Sequence, residues 1–425
     1  MNIEYILNRV GKDAFICQKL VNILDTSIWP SKVISLKQGH FFLTDEMEFQ
    51  IVGSKWFNHA NYLFVYEAET SNLFIVCQYV TSSTFVFHVQ SRTYTTLHSG
   101  FNHFDEIRLE PLNDLASYLQ IHLEDLRNLK LEMRLELGEF SIHHYFYDSL
   151  PGLIANSLLI EDKNFSVLAL EKSNEFLDTQ ELLGFLERSE DLSGIERSTS
   201  TSTSILYLRT GYPYSRLTRD LQMKLDEKIL IHVNNRNAVS IDGNPKIWID
   251  LSMMNRKWNL EETLPKLLKA IMRDFSSAHI IFDDLTSTFD RDSETLSGRS
   301  LPKWLEVVLE ETNVTKYTNL SFARASEKIA HAQMCDFFFA SYSTGSMFPS
   351  RFAKLPGIAL SSPRTYLFEQ DRGIFQHENI TVIPIEYFTF EDMIGISPWI
   401  DFSLDVDKFV DWAITLLKQS ILKAS

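Results

Sequence analysis

Three stretches of this sequence put groups capable of proton transfer or anion binding where a strand hands over to a helix. The first, Gly138-Glu-Phe-Ser-Ile-His-His-Tyr-Phe-Tyr-Asp-Ser-Leu-Pro-Gly-Leu153, carries His143, His144 and Asp148. An imidazole titrates near neutral pH and can serve as a general base, and Asp148 can orient it or take the proton itself. Adjacent residues point to different sides, so at most one of the two histidines faces a cleft; a loop histidine can also be a purely structural hydrogen-bonder. The second stretch, Ser252-Met-Met-Asn-Arg-Lys-Trp-Asn259, gathers Arg256, Lys257 and the cap candidate Asn259 at the start of a helix. A guanidinium fork beside a positive dipole end suits a phosphate or pyrophosphate, although solvated loop charges would look the same. The third, Ser341-Tyr-Ser-Thr-Gly-Ser346, follows the apolar run Phe337–Ala340 and opens a helix carrying Arg351. Hydroxyls of Ser341, Ser343, Thr344 and Ser346 and the backbone N–H groups can donate to an anion, and Gly345 permits close approach. An ordinary N-cap needs only one of these hydroxyls. Asp283-Asp284, at the carboxyl end of an apolar run, can accept from a ligand hydroxyl or cap the next element.

The elements that must position these loops follow from periodicity. Helical spacing marks the first ~25 residues. Short Phe-, Val- and Tyr-rich runs between Phe41 and Leu97 predict a largely antiparallel sheet. Helical spacing returns at Leu112, Leu115, Leu119, Leu123 and Leu126, and strict alternation from Leu129 to Leu137 predicts a half-buried strand. Beyond it the pattern predicts a helix at Leu150–Leu159, strands at Phe165–Leu170 and Ile205–Arg209, a helix near Tyr214–Leu225 and a strand over Lys228–Val233. The Ser/Thr tract Ser198–Ser204 reads as a surface loop. A second alternation runs through strands at Lys246–Leu251, His279–Phe282, Tyr317–Phe322, Asp336–Ala340, Gly357–Leu360 and Ile380–Ile385. Helices lie between them, including one near Ser346–Ala353. The first of these helices has Asn259 and Glu262 at capping-box spacing, with Pro265 displacing its regular start towards Thr263. The face Val406, Phe409, Val410, Ala413, Ile414, Leu417 and Ile421 predicts a closing amphipathic helix. Strands alternating with helices imply α/β layers. The polar turn Asn234–Asn244 suggests a first domain over residues 1–237 with a β-rich elaboration, a second over 238–403, and a terminal helix at 404–425 packing back on the first.

Composition narrows the function. The chain has 425 residues and a formal charge of −16, so a nucleic-acid partner is not expected and membrane contact is at most peripheral. Its 15 glycines, about half the usual ~7% share, form no G-x-G-x-x-G and no P-loop, which removes the standard dinucleotide and P-loop NTPase classes. Cys17, Cys77 and Cys335 lie far apart and suit a reducing cytoplasm. No segment reads as a signal peptide or approaches ~18 uninterrupted apolar residues. There is no G-x-S-x-G elbow and no H-E-x-x-H, so neither an α/β-hydrolase nor a zincin is expected, and no metal is assigned. The pairs Asp290-Arg-Asp292 and Asp405-Val-Asp407 have D-x-D form but lie in polar stretches.

At its three loops the chain resembles bacterial GT-B glycosyltransferases that act on surface polysaccharides or glycoconjugates. Ser141-Ile142-His143-His144 with Asp148 is similar in placement to their acceptor-side loop. Ile247–Leu251 with Arg256 and Trp258, followed by Ile280–Asp283, resembles the opening of their donor half. Ala340–Gly345 with Lys354-Leu-Pro-Gly357 is similar to their nucleotide-diphosphate loop. The resemblance implies two Rossmann-like domains facing a cleft. It also implies metal-independent, inverting transfer of a sugar from a nucleotide-sugar donor to a carbohydrate or glycoconjugate hydroxyl, with no cofactor beyond that donor. His144 or Asp148, with His143 beside them, would supply the base. Arg256, Lys257, Asn259, Asp283, Ser341, Ser343, Thr344, Gly345, Ser346 and Arg351 would hold the donor. The alternative is a non-catalytic binding or scaffold protein on a decayed transferase fold; a hydrolase with paired carboxylates has only scattered acids behind it.

Overall fold

The computed structural model describes residues 7–26, 35–37, 40–43, 48–57, 60–79, 82–97, 109–129, 132–137, 142–159, 165–169, 176–183, 187–188, 205–209, 217–235, 239–251, 258–286, 301–342, 344–363, 365, 379–391 and 401–424. Arg256, Lys257, Ser343, the Ser198–Ser204 tract and the Asp290/Asp292 pair lie outside the described residues. The chain forms two compact units. One comprises Met1–Glu175 and Thr179–Gln222; the other comprises Phe176–Asp178 and Met223–Ser425.

The first unit begins with β1 (Asn8–Arg9) and α1 (Gln18–Thr26), followed by β2 (Ser35–Lys37), β3 (His40–Phe42), β4 (Phe49–Phe57), β5 (Ala60–Glu67), β6 (Asn72–Tyr79), β7 (Ser82–His88) and β8 (Thr93–Thr96). These strands form an eight-stranded sheet in the order β1-β8-β7-β6-β5-β4-β3-β2. It is antiparallel except where β1 runs parallel to β8. The expected β-rich elaboration is therefore present. Helix α2 (Leu112–Asn128) covers it with Leu112, Leu115, Ala116, Leu119 and Leu126, spaced to share one stripe, against Tyr62, Phe64 and Tyr66. A second, parallel sheet has the order β11-β10-β9-β12, built from β9 (Glu132–Leu137), β10 (Phe165–Ala169), β11 (Glu187–Arg188) and β12 (Ile205–Arg209). After β9 the chain runs through α3 (Ile142–His144), a π-helical turn (Tyr145–Ser149) and α4 (Leu150–Leu159). Helix α5 (Thr179–Leu183) also belongs here.

Helix α6 (Arg219–Asn234) carries the chain from the first unit to the second after Gln222. It also overturns the strand expected at Lys228–Val233. The β-branched run there reads locally as a strand, yet Leu225, Ile229 and Val233 recur every four residues and are buried, while Ile231 is exposed. A helix buries one stripe in that way; a strand would bury every second residue.

The second unit is a six-stranded parallel sheet of β13 (Lys246–Asp250), β14 (His279–Asp283), β15 (Tyr317–Asn319), β16 (Phe337–Ala340), β17 (Gly357–Ala359) and β18 (Ile380–Val382). Its order is β15-β14-β13-β16-β17-β18: third, second, first, fourth, fifth, sixth. That is the doubly wound arrangement, with a topological switch point between the first and fourth strands. Residues alternate between two covered faces, as buried parallel strands require. Ile247, Ile249, Ile280, Phe282, Phe337 and Phe339 meet α7 (Leu260–Asp274), α8 (Lys303–Thr312) and the C-terminal helix in one core. Trp248, Asp250, Ile281, Asp283, Phe338 and Ala340 fall on the other face, towards α9 (Ala325–Ala332), α10 (Thr344–Ser346) and a second π-helical turn (Met347–Phe352). The single helix expected near Ser346–Ala353 is thus a short α-turn followed by a π-turn. Pro349 lies inside it, lacking an N–H and crowding the carbonyl one turn back, which a wider turn relieves. A two-stranded antiparallel ribbon, β19 (Phe388–Glu391) with β20 (Phe402–Leu404), precedes α11 (Val406–Ala424). Helix α11 packs on α7 within the second unit's own core. None of the described helices is long and apolar enough to cross a membrane.

Candidate functional site

In a doubly wound sheet the crevice at the switch point is where ligands settle, because strand ends and helix N-termini converge there. Here that crevice lies where β13 ends at Asp250 and β16 ends at Ala340. The parallel register sets Asp250 directly beside Asp283 at the end of β14. Both side chains leave the same face, and both are buried.

The turn after β16 carries the serines suggested as an anion cradle, and its first serine is committed to an internal carboxylate. The Ser341 backbone N–H donates to Asp250 Oδ2 at 3.1 Å, and Ser341 Oγ donates to the same oxygen at 2.7 Å. A methyl group at Gly345 would collide with that carboxylate, so glycine is needed here for close approach of an internal acid. The Tyr342 N–H donates to Ser361 Oγ at 2.9 Å, and the Ser346 N–H donates to the Ser341 carbonyl at 3.1 Å. Thr344 opens α10, and Ser346 is buried with its carbonyl accepting from Ser350 Oγ. Arg351, fully buried in the π-turn, donates through Nε and Nη2 to Asp226 on α6 at 3.0 and 2.8 Å.

Beside this turn, Lys328 reaches from α9, also fully buried. Its ammonium meets Asp283 Oδ1 at 2.5 Å and donates to the carbonyls of Asp284 and Leu285 at 2.7 and 2.9 Å. Burial pushes the Asp283 carboxyl up to about 7; Lys328 opposes the rise, while Asp250 and Asp284 add to it. Burial also raises the half-buried Asp284, again opposed by Lys328. At the carboxyl end of the sheet Lys328 thus serves the two adjacent acids Asp283 and Asp284, while Asp250 is held by Ser341.

Asn259 does not cap α7 with its side chain. Its Nδ2 donates to the Leu404 carbonyl and its Oδ1 accepts from the Leu404 N–H, both at 3.0 Å, stapling β20 to the helix start. Helix α7 starts at Leu260 and keeps Pro265 inside its run. Asp407 pairs with Lys266 and Asp405 with Lys408, ordinary surface ion pairs. In the first unit, His143 and His144 are half-buried in α3, with ring centroids 5.2 Å apart and edge to face. His143 also lies 5.1 Å from the Tyr147 ring. Asp148 belongs by its backbone to the π-turn. Tyr145, buried in that turn, shares a 2.8 Å hydrogen bond with Thr179.

Asp250, Lys328 and Asp226 were not singled out among the candidates from sequence. Lys328 left a trace, since it sits on the apolar stripe with Ala325, Ile329 and Ala332, where a solvated lysine has no business.

No protein-family model matches the chain, and no curated protein matches it. Among solved structures it is similar to E. coli ADP-heptose lipopolysaccharide heptosyltransferase II, with 12% identity and a TM-score of 0.28 over 64% of this chain and 68% of that one. It is similar to TarM of S. aureus at 10% identity and a TM-score of 0.26, covering 92% of this chain and 68% of that one. The glycosylation-associated protein (Gap123) complex of Streptococcus agalactiae is similar at 10% identity and a TM-score of 0.21, covering 93% and 79%. Superpositions this loose define no family for the chain.

Proposed function

We propose that this protein binds a carbohydrate or glycoconjugate on a glycosyltransferase-like scaffold and does not itself transfer sugar. The single observation behind this reading is Asp250. In a nucleotide-sugar enzyme the turn after the fourth strand offers its N–H groups and hydroxyls to a diphosphate. In this chain Ser341 gives both to an internal carboxylate, and Arg351 gives its guanidinium to Asp226. A diphosphate entering the turn would meet the buried Asp250 carboxylate that already takes the Ser341 donors, a repulsion stronger than in water. The ligand class follows from the resemblance of the three loops to transferases whose acceptors are carbohydrates. The three buried free cysteines support a reducing, cytoplasmic setting. Incubation with UDP-, GDP-, CMP- and ADP-sugars should leave the melting temperature unchanged and release no free nucleotide. Stabilisation by one of them together with nucleotide release would overturn the reading.

A second reading, an active metal-independent and inverting transferase, draws support from the switch point itself, where a short helix opens beside the first strand. It requires Arg256 and Lys257 to supply the cations and His144 or Asp148 to act as base. Under it, His144→Ala or Asp148→Asn abolishes nucleotide release while leaving donor binding intact.

A further inference from the structure

A buried side chain closes the hairpin turn between β7 and β8. His88, at the end of β7, accepts at Nδ1 from the Ser91 N–H at 3.3 Å, and the same nitrogen lies 2.6 Å from Ser91 Oγ. A ring nitrogen that accepts from a backbone N–H carries no proton, so the imidazole is neutral and its hydrogen sits on Nε2. Ser91 Oγ therefore donates to Nδ1, and Thr93 Oγ1, 2.6 Å away, donates to Ser91 Oγ. On the other side of the ring, Nε2 donates to Asn72 Oδ1 at 3.2 Å, and Asn72 Nδ2 donates to Glu67 Oε2 at 2.9 Å. Cys17, on the buried side of α1, gives its thiol to Glu67 Oε1 at 3.6 Å. The whole relay thus runs one way, from Thr93 in to the Glu67 carboxylate.

The same turn holds β1. Arg92, next to Ser91, is in the left-handed conformation at φ = 54°, and its carbonyl accepts from the Asn8 N–H at 3.1 Å. The Val10 N–H donates to the Tyr94 carbonyl at 2.9 Å. Strand β1 is the edge of its sheet and pairs there with β8. Its docking therefore depends on the backbone of residues 92–94 staying where the His88–Ser91 contact sets it.

We propose that this contact is a proton-operated latch: protonation of His88 at Nδ1 opens the turn and releases β1 from the edge of the sheet. An Nδ1–H cannot accept the Ser91 N–H, so two donors come to face each other beside a buried cation. The ring also packs on Phe74, with centroids 5.2 Å apart, which offers the new charge little solvation. Burial holds this imidazole below the ordinary histidine range, and the Glu67 carboxylate opposes that shift. The charged side chains around it have other partners: Lys19 on α1 pairs with Glu48, Arg92 donates to Asn113 on α2, and Arg9 on β1 donates to Thr96. Because the native state prefers the neutral ring, the latch is complete above the ~6.5 of an unfolded histidine and is lost as pH falls below it.

The inference stands apart from the carbohydrate-binding reading. Amide hydrogen exchange of the full chain from about pH 7.5 to 4.5, with the His88 ring titrated by NMR in parallel, tests it. Corrected for intrinsic exchange, protection of the Asn8 and Val10 amides should fall on the order of tenfold as the ring takes its proton. Tyr62 and Leu63, in the middle of the sheet on β5, should stay protected. Glu67→Gln removes the charge that favours the imidazolium, so ring titration and release should both move to lower pH. Protection at β1 that stays constant through the ring's titration overturns the latch. So does an imidazole that takes no proton in this range, or a loss that reaches Tyr62 and Leu63 at the same pH, which is acid unfolding of the sheet as a whole.

Discussion

The molecule uses the same backbone device twice, and the two copies differ in what they do with their polar groups. In each unit a strand of a parallel sheet leads through a short α-turn into a π-helical turn, at Tyr145–Ser149 in the first and Met347–Phe352 in the second. Each turn has a proline where a regular helix would clash, Pro151 just beyond the first and Pro349 inside the second. In the first the imidazoles of His143 and His144 stay half-buried. In the second every residue of the π-turn is buried, its guanidinium paired with Asp226 and its approach filled by Asp250. A serine-rich turn at a helix start therefore does not by itself make an anion site. What decides is whether its donors have been spent internally.

The sharpest way to break that contrast is Arg351→Ala. If the guanidinium serves structure, its loss leaves Asp226 buried without its cation, and denaturant unfolding should show a loss of about 3–5 kcal/mol. Adding Asp226→Leu should return much of it, since removing both charges is far less costly than removing one. A destabilisation under about 1 kcal/mol would mean that the arginine is available for a ligand after all.

Gly345→Ala tests the filled cradle itself. The added methyl has to displace the Asp250 carboxylate, at a cost of about 1–3 kcal/mol. Paired with Asp250→Ala, the two losses should add to less than their sum, because the truncated side chain no longer occupies the methyl's space. Strict additivity in unfolding free energies would show that the carboxylate does not sit against the glycine.

Much of this plan was legible beforehand, and the failures have physical causes. Strand alternation and β-rich runs announced both the parallel layers and the antiparallel elaboration, because burial on a pleated surface writes itself into residue types. At α6 the β-branched residues Ile229, Ile231 and Val233 favour a strand locally, but tertiary burial of one helical stripe wins. The turn at Ser341–Ser346 was placed correctly at a strand's end. Its contents were not legible, since Asp250 lies 91 residues away in the chain and no local pattern pairs it with Ser341. Long-range charge pairs such as Lys328 with Asp283 escape for the same reason.

A pH series addresses the buried acid at the end of β14. The folded-state Asp283 carboxyl is raised to about 7, well above the ~4 of an unfolded aspartate. The native state therefore holds this proton across a range where the unfolded chain has released it. Stability from this group is complete below about pH 4 and is lost as pH rises through about 7. Asp283→Asn is neutral throughout and should lack that decline, so the gap between wild type and variant should shift in the variant's favour as pH rises. A gap that stays constant from pH 4 to about 7.5 would place the titration elsewhere.

The smallest expected effects belong to the first turn, and they separate the two functional readings most cleanly. His143→Ala and His144→Ala each remove a half-buried ring, His143 losing contacts to both His144 and Tyr147. Unfolding should report at most about 1 kcal/mol for His143 and less for His144, the usual worth of such aromatic contacts. Under the binding reading, glycan binding should not move for either variant. If instead one of these imidazoles takes a proton in sugar transfer, nucleotide release should fall by about 10²–10⁴-fold in that variant with stability unchanged. A turn that is cheap to alter and yet decisive for turnover is what a catalytic base looks like, whereas one that is cheap and indifferent is what a binding protein retains.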